Sequence, residues 1–418
     1  MPNRPAHGFT KHFLWGAATS PHQYEGSCHN QWTVWELENA KALAAQSSYQ
    51  YDDLPVWPKI KSLAKAPANY TSGRAAGGYN LFEQDCALAR VMNLNALRIG
   101  IEWSRVQPEE GAWDPEAISH YRQQLVAMKQ NGIEPVITLF HYTLPVWFAA
   151  KGGFEKRANV RYFTEYVQYI MQELGGGMRY IITMNEPQTY VDMSYIRGKW
   201  PPQVMSSRRG YMVLGNLLYA HRKAAELIHA ENRRFKVGIA KNYDYIYPGD
   251  DAWLSERSAD ILHFKQNTHI LRRVVKSSDF IGINYKGSQR VYGYRVHNPN
   301  ERMSDVDAQM DPDKLRHVLQ QVHDAYHLPI MVTASGVADH QDQYRKWWLT
   351  QTVVAMQAAL RDGVQVIGYM VYALTDQFEL DRGFWPRYGL AEVDYHTLKR
   401  TVRPSAVWYA KILKKLRS

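Results

Sequence analysis

The chain has 418 residues, 45% of them hydrophobic and 22% charged, a balance that gives ample material for a core and argues against a disordered or fibrous polymer. Its formal net charge of +10 could serve nucleic acid or an anionic membrane, but lysines and arginines are scattered among acids rather than gathered into one stripe, so neither partner is expected. No apolar run reaches the ~18 residues of a membrane span.

Lys411, Lys414, Lys415 and Arg417 form the one basic cluster, which reads as the solvated face of a last helix. The two cysteines, Cys28 and Cys86, suggest neither a disulfide framework nor a metal cluster. The N-terminus MPNRPAHGFTKHF has no apolar leader segment, which makes a cytoplasmic protein the default expectation. With no phosphate loop or dinucleotide motif, no cofactor is expected. The 13 tryptophans and 28 tyrosines fit a large core, and equally fit sugar recognition by stacking. Composition does not separate the two.

In chain order, short apolar or alternating runs recur with helical stretches between them. They are residues 13–20 (FLWGAATS), 96–103 (ALRIGIEW), 134–141 (EPVITLFH) and 180–187 (YIITMNEP). Residues 236–243 (KVGIAKNY), 280–287 (FIGINYKG), 329–336 (PIMVTASG) and 366–376 (VIGYMVYALTD) continue the series. Eight parallel candidates separated by helices predict a single closed (β/α)8 barrel over residues 1–418. One helix is explicit: residues 120–132 (HYRQQLVAMKQNG) are amphipathic and stop at a glycine.

The runs end in polar or aromatic residues: Thr19–Ser20, Glu102–Trp103, His141–Tyr142, Asn185–Glu186, Asn284–Tyr285 and Asp376. In such a barrel the C-terminal ends of the strands carry the active site. Long segments follow several strands, over residues 21–95, 188–210 and 286–328, and are expected to deepen a pocket there. Within Thr183–Met184–Asn185–Glu186–Pro187, Glu186 is a carboxylate at a strand end. Aromatic walls would raise its pKa, as a general acid requires; a helix-start glutamate is the plain alternative.

At this point a resemblance becomes specific. FLWGAATSPHQYEG (residues 13–26) and NQWTVWE (30–36) are similar to the N-terminal blocks of glycoside hydrolase family 1, the β-glucosidase and β-galactosidase family. Residues 79–114 resemble its second-strand block, TMNEP its acid/base motif, and ALTDQFEL (373–380) its eighth-strand block. The similarity runs nearly end to end. It implies a retaining β-glycosidase acting on β-glycosides or oligosaccharides, with Glu186 as acid/base. It also implies that Asn185, His141, Gln23 and Glu379 bind sugar hydroxyls, that Tyr372 floors the pocket, and that Arg98, Asn284 and Tyr285 support the site.

The pattern fails at one strand. The family's seventh strand ends Thr-Glu-Asn-Gly, and its glutamate attacks the anomeric carbon. Here the segment is Thr333–Ala334–Ser335–Gly336, so the nucleophile position holds Ala334. Ser335 should face elsewhere by strand alternation, and Asp339 lies further along. Two explanations stand: a Glu-to-Ala exchange made by design, giving a glycosynthase-like or substrate-trapping form, or a natural carbohydrate-binding pseudoenzyme. The intact neighbouring residues favour the first. Other departures include Lys286 where the family often has a tyrosine that steadies the nucleophile, and Tyr372 and Leu380 at two usual tryptophan positions. Oligomeric state is not legible.

Overall fold

In the computed structural model, residues 8–298 and 302–417 are described. The first seven residues of the segment read for a leader, and three residues of the 286–328 loop, lie outside them. Eight strands close a parallel barrel: β1 (Leu14–Ala18), β2 (Ala96–Gly100), β3 (Glu134–Phe140), β4 (Tyr180–Asn185), β5 (Lys236–Asn242), β6 (Phe280–Tyr285), β7 (Ile330–Ser335) and β8 (Val366–Tyr372). Neighbours pair in sequence order, and β1 closes on β8. Each strand lies within one of the eight runs read from the sequence.

Alternation divides the side chains between two cores. Leu14, Ala18, Ala96, Val136, Ile182, Ala240, Phe280, Met331 and Met370 form one buried cluster. They come one from each strand around the ring, with a second on β1 four residues along on the same face, which marks them as the barrel's filling. The intervening residues, such as Trp15, Ile137, Ile181 and Ile283, belong to the larger cluster shared with the helices. Gly16 lets β1 approach its neighbours: a Cβ there would meet the Met370 sulfur at 2.3 Å and the Ala96 carbonyl at 2.5 Å.

The helix expected over 120–132 begins earlier, at Pro115, and runs to Gln130. Asp114 caps it, accepting from the backbone N–H of Glu116 and Ala117 at 2.8 and 3.1 Å, and Pro115 suits the first turn. Helix Gln31–Tyr51 opens with a reciprocal cap between Asn30 and Thr33. The last helix, Pro404–Arg417, exposes Lys411, Lys414, Lys415 and Arg417 and buries Ala406, Tyr409 and Leu413, as its charge pattern indicated. Among the described residues no helix is long and apolar enough to cross a membrane.

Candidate active site

A cavity of about 740 Å³ opens at the C-terminal ends of the strands. Its walls include Gln50, Tyr51 and Leu54 from the first long loop, Met193 and Trp200 from the second, and Val306 and Met310 from the third. All three long segments therefore deepen the pocket. Thr19, His141, Tyr142, Asn185, Glu186, Asn284 and Tyr285 line it, among the polar strand ends read from the sequence. Glu102 and Asp376 do not. Glu102 accepts from Ser104 and Thr143 at 2.7 and 2.8 Å, tying loops together. Asp376 is fully buried behind the rim, paired with Arg403 and Arg387 at 2.8 and 3.3 Å.

Glu186 follows β4 with φ +40° and ψ 59°. Pro187 bars the right-handed helical region to it, and its N–H donates to the Ala240 carbonyl of β5 at 2.7 Å. A left-handed conformation costs a non-glycine residue about 1–3 kcal/mol and persists only where surroundings impose it. Its carboxylate is 2% exposed and heavily bonded. Tyr142 and Asn284 donate to it at 2.9 and 2.6 Å, and the Lys286 ammonium stands 3.3 Å from each oxygen.

These contacts correct one expectation. Burial pushes the Glu186 carboxyl up, as aromatic walls would, but the Lys286 charge and the Asn284, Thr189 and Tyr142 donors outweigh it and bring it down to about 2. Glu186 is an ionised carboxylate at neutral pH. The cation responsible is Lys286, whose position the sequence marked only as a departure.

Beneath Glu186 lies a buried polar layer. Arg98, on β2 and 1% exposed, donates to Thr138 and Asn185 side chains at 3.0 and 2.6 Å, to Asn284 at 3.3 Å and to the Thr333 carbonyl at 3.0 Å. Asn284 bridges Asn185 and Glu186 through its amide nitrogen and accepts from Thr333 at 2.7 Å. Burial lowers the Arg98 pKa to about 10 against the pull of Glu186, Tyr142 and Tyr372. Tyr285 donates to the Asp311 carbonyl and stacks on Trp348, fixing the third loop from behind.

A second cluster faces it. Gln23 donates to the Tyr372 hydroxyl and the Phe378 carbonyl at 2.9 and 2.8 Å; Tyr372 donates to Glu379 at 2.8 Å and accepts from Gln377 at 2.6 Å. Burial raises the Glu379 carboxyl to about 8, in spite of those donors. Half-buried His141 keeps a neutral ring, its pKa driven well down by desolvation and by Arg98, and its Nδ1 has no hydrogen-bond partner. Trp385, a cavity-wall residue that the sequence reading missed, has an indole N–H likewise unpartnered. It lies on an irregular loop after β8, where no periodicity signals it.

Ala334 lines the cavity, directly across the β6–β7 ladder from Asn284. The ladder shifts register between Val332 and Ala334, which turns this strand end. Gly336 then crosses against β8: a Cβ there would sit 1.8 Å from the Tyr372 carbonyl. Neither neighbouring polar residue replaces a carboxylate. The Ser335 hydroxyl accepts from Trp348 at 3.2 Å, and Asp339 is occupied by the backbone N–H groups of Gln343, Tyr344 and Arg345.

The sequence model of glycosyl hydrolase family 1 matches residues 6–280 and 253–417, which together span nearly the whole chain. The chain belongs to glycosyl hydrolase family 1. This family 1 protein superposes with TM-score 0.85 on a β-glycosidase from Pyrococcus horikoshii, at 31% identity, over 97% of this chain and 95% of that one. It is 29% identical to the chloroplastic galactolipid galactosyltransferase SFR2 of Arabidopsis thaliana, over 96% of this chain and 72% of that protein. A β-glucosidase from Thermotoga maritima shares its fold, with TM-score 0.86 at 22% identity and 98% and 99% coverage. The fold is thus the family 1 (β/α)8 barrel and the protein is of glycosidase type.

Proposed function

We propose that this protein is a retaining-type β-glycosidase, of β-glucosidase or β-galactosidase kind, in which Ala334 occupies the nucleophile position, so that it hydrolyses terminal β-linked sugars very poorly. The observation that carries this reading is that Glu186, just after β4, and Ala334, on β7, line one cavity with Arg98 bonded to the residue preceding each. Retaining hydrolysis uses two carboxyl groups about 5–5.5 Å apart, one attacking while the other moves the proton. Glu186 supplies one. A methyl group cannot supply the other. Gln23, His141, Asn185, Tyr372 and Glu379 take the sugar hydroxyls, while Arg98, Asn284 and Tyr285 hold the frame.

The test is Ala334→Glu. A new carboxylate beside Arg98 restores turnover of aryl β-glucosides or β-galactosides by several orders of magnitude, the usual scale for losing a catalytic nucleophile. Release of the β-anomer, followed by proton NMR, identifies the retaining route.

One observation favours a second reading, a natural pocket that binds carbohydrate without cutting it. The Lys286–Glu186 pair keeps the acid/base ionised, whereas protonating a leaving group needs it protonated. An Ala334→Glu protein that folds and binds sugar but stays inert decides for this reading.

A further inference from the structure

Outside the cavity, the segments after β5 and β6 carry an apolar surface that the glycosidase chemistry leaves unused. A short strand after β5, Tyr245–Pro248, pairs with the hairpin Ser288–Tyr292 and Arg295–Val296 that follows β6. Against them packs helix Trp253–His263, which runs on through Phe264–Thr268 into His269–Val274. Ala259 of this helix is buried with Ile246 and Val291 of the strands. Its outer side exposes Trp253, Leu254, Ile261 and Phe264, and the hairpin exposes Tyr294 and Val296; Trp253 is 71% and Tyr294 78% open to solvent. The Gly293 N–H donates to the Ser255 hydroxyl at 2.7 Å, and a Cβ on Gly293 would stand 3.9 Å from the Leu254 side chain, so helix and hairpin present one face. Single exposed apolar residues are common, but a contiguous group of this kind marks a contact surface.

The order of residues along the helix indicates what covers that face. At about 3.6 residues per turn, Trp253, Arg257, Asp260 and Phe264 fall on one line, opposite buried Ser255 and Ala259. The line reads aromatic, cation, anion, aromatic, and it is complementary to itself in reverse. Laid antiparallel on a second copy, it sets Trp253 against the copy's Phe264 and Arg257 against the copy's Asp260. A two-fold axis then repeats both contacts. Within one chain Arg257 and Asp260 stand 3.8 Å apart and are largely exposed, a solvated pair that loses little by exchanging partners. The flanking charges follow the same sense. Exposed Asp250, Asp251 and Glu256 lie toward the start of the helix and exposed Lys265, Arg272 and Arg273 toward its end, so the antiparallel arrangement puts acids opposite bases. Those acids, with Asp260, would repel an anionic bilayer.

We propose that this face is a two-fold interface between copies of this chain, centred between Arg257 and Asp260, with Trp253 and Phe264 as its anchors. Tyr294 and Val296 on the hairpin widen it toward the roughly 1,200–2,000 Å² that a stable pair buries in total. The hairpin begins just after Lys286, so the pairing braces the strand end that carries the cation of Glu186.

The test is sedimentation equilibrium of the full chain across the micromolar range, which should find a species of twice the 48.4 kDa mass of one chain. Trp253→Asp should raise the dissociation constant roughly 100-fold or more, since the two-fold loses a central aromatic twice. Arg257→Asp and Asp260→Arg, each alone, set like charges across the axis and should weaken pairing. Mixed in equal amounts, those two variants should recover it as a mixed dimer, which neither damage to the fold nor another register would produce. A monomer throughout the range, a dimer that Trp253→Asp leaves intact, or no recovery in the mixture overturns the proposal. Binding of a monomer to phosphatidylglycerol–phosphatidylcholine vesicles, lost in Trp253→Asp, would assign the face to lipid and equally overturn it.

Discussion

Lys286 extends from the end of β6 to within 3.3 Å of both oxygens of Glu186 at the end of β4, linking an exposed lysine to a buried carboxylate. The pair sets the protonation of the cavity's principal carboxyl. Because the folded-state pKa of Glu186 lies below its ordinary value, the pair stabilises the fold above the unfolded pKa. That stability is lost as pH falls from about 4.5 toward 2. Acid titration of stability should therefore be shallower in Lys286→Met than in the parent across that window. Equal slopes would mean the charge of Lys286 is screened.

A small anion should enter beside Arg98. With an activated β-glucoside, azide attacking from the Ala334 side gives the α-glycosyl azide, detectable by proton NMR, with Glu186→Gln as control. A β-azide would place the attacking anion on the opposite face and overturn the assignment of Ala334.

Glu379 should release a proton when sugar binds. Its carboxyl is raised to about 8 by burial, so it is largely neutral at pH 7. Sugar hydroxyls donating to it favour the charged form, and by linkage binding expels about one proton near pH 7. Calorimetry in buffers of different ionisation enthalpy reads this directly. Glu379→Gln should bind more weakly and show no buffer dependence.

Asp376 should matter to stability and not to the pocket. It is buried and bonded to two arginines and to the Gly389 N–H at 2.9 Å. Asp376→Ala leaves Arg403 uncompensated and should cost about 3–5 kcal/mol in denaturant unfolding. Sugar binding by the remaining folded protein should be unchanged.

The barrel was legible because each strand writes its own pattern: eight apolar or alternating runs, six of them ending in the polar or aromatic residues named above, need no knowledge of their neighbours. Gln23, His141, Asn185, Glu186, Ala334 and Glu379 were named through the family resemblance that the motifs carry, and the fold brings them to one cavity. What local pattern could not give is which strand-end residues point in. Asn185 and Asp376 look alike in sequence, yet one lines the pocket and the other clamps loops behind it, because strand termination and loop path set side-chain direction. Nor could it give the charge state of Glu186. A lysine 100 residues along the chain decides that, and Coulomb attraction depends on distance in space, which only the closed barrel defines.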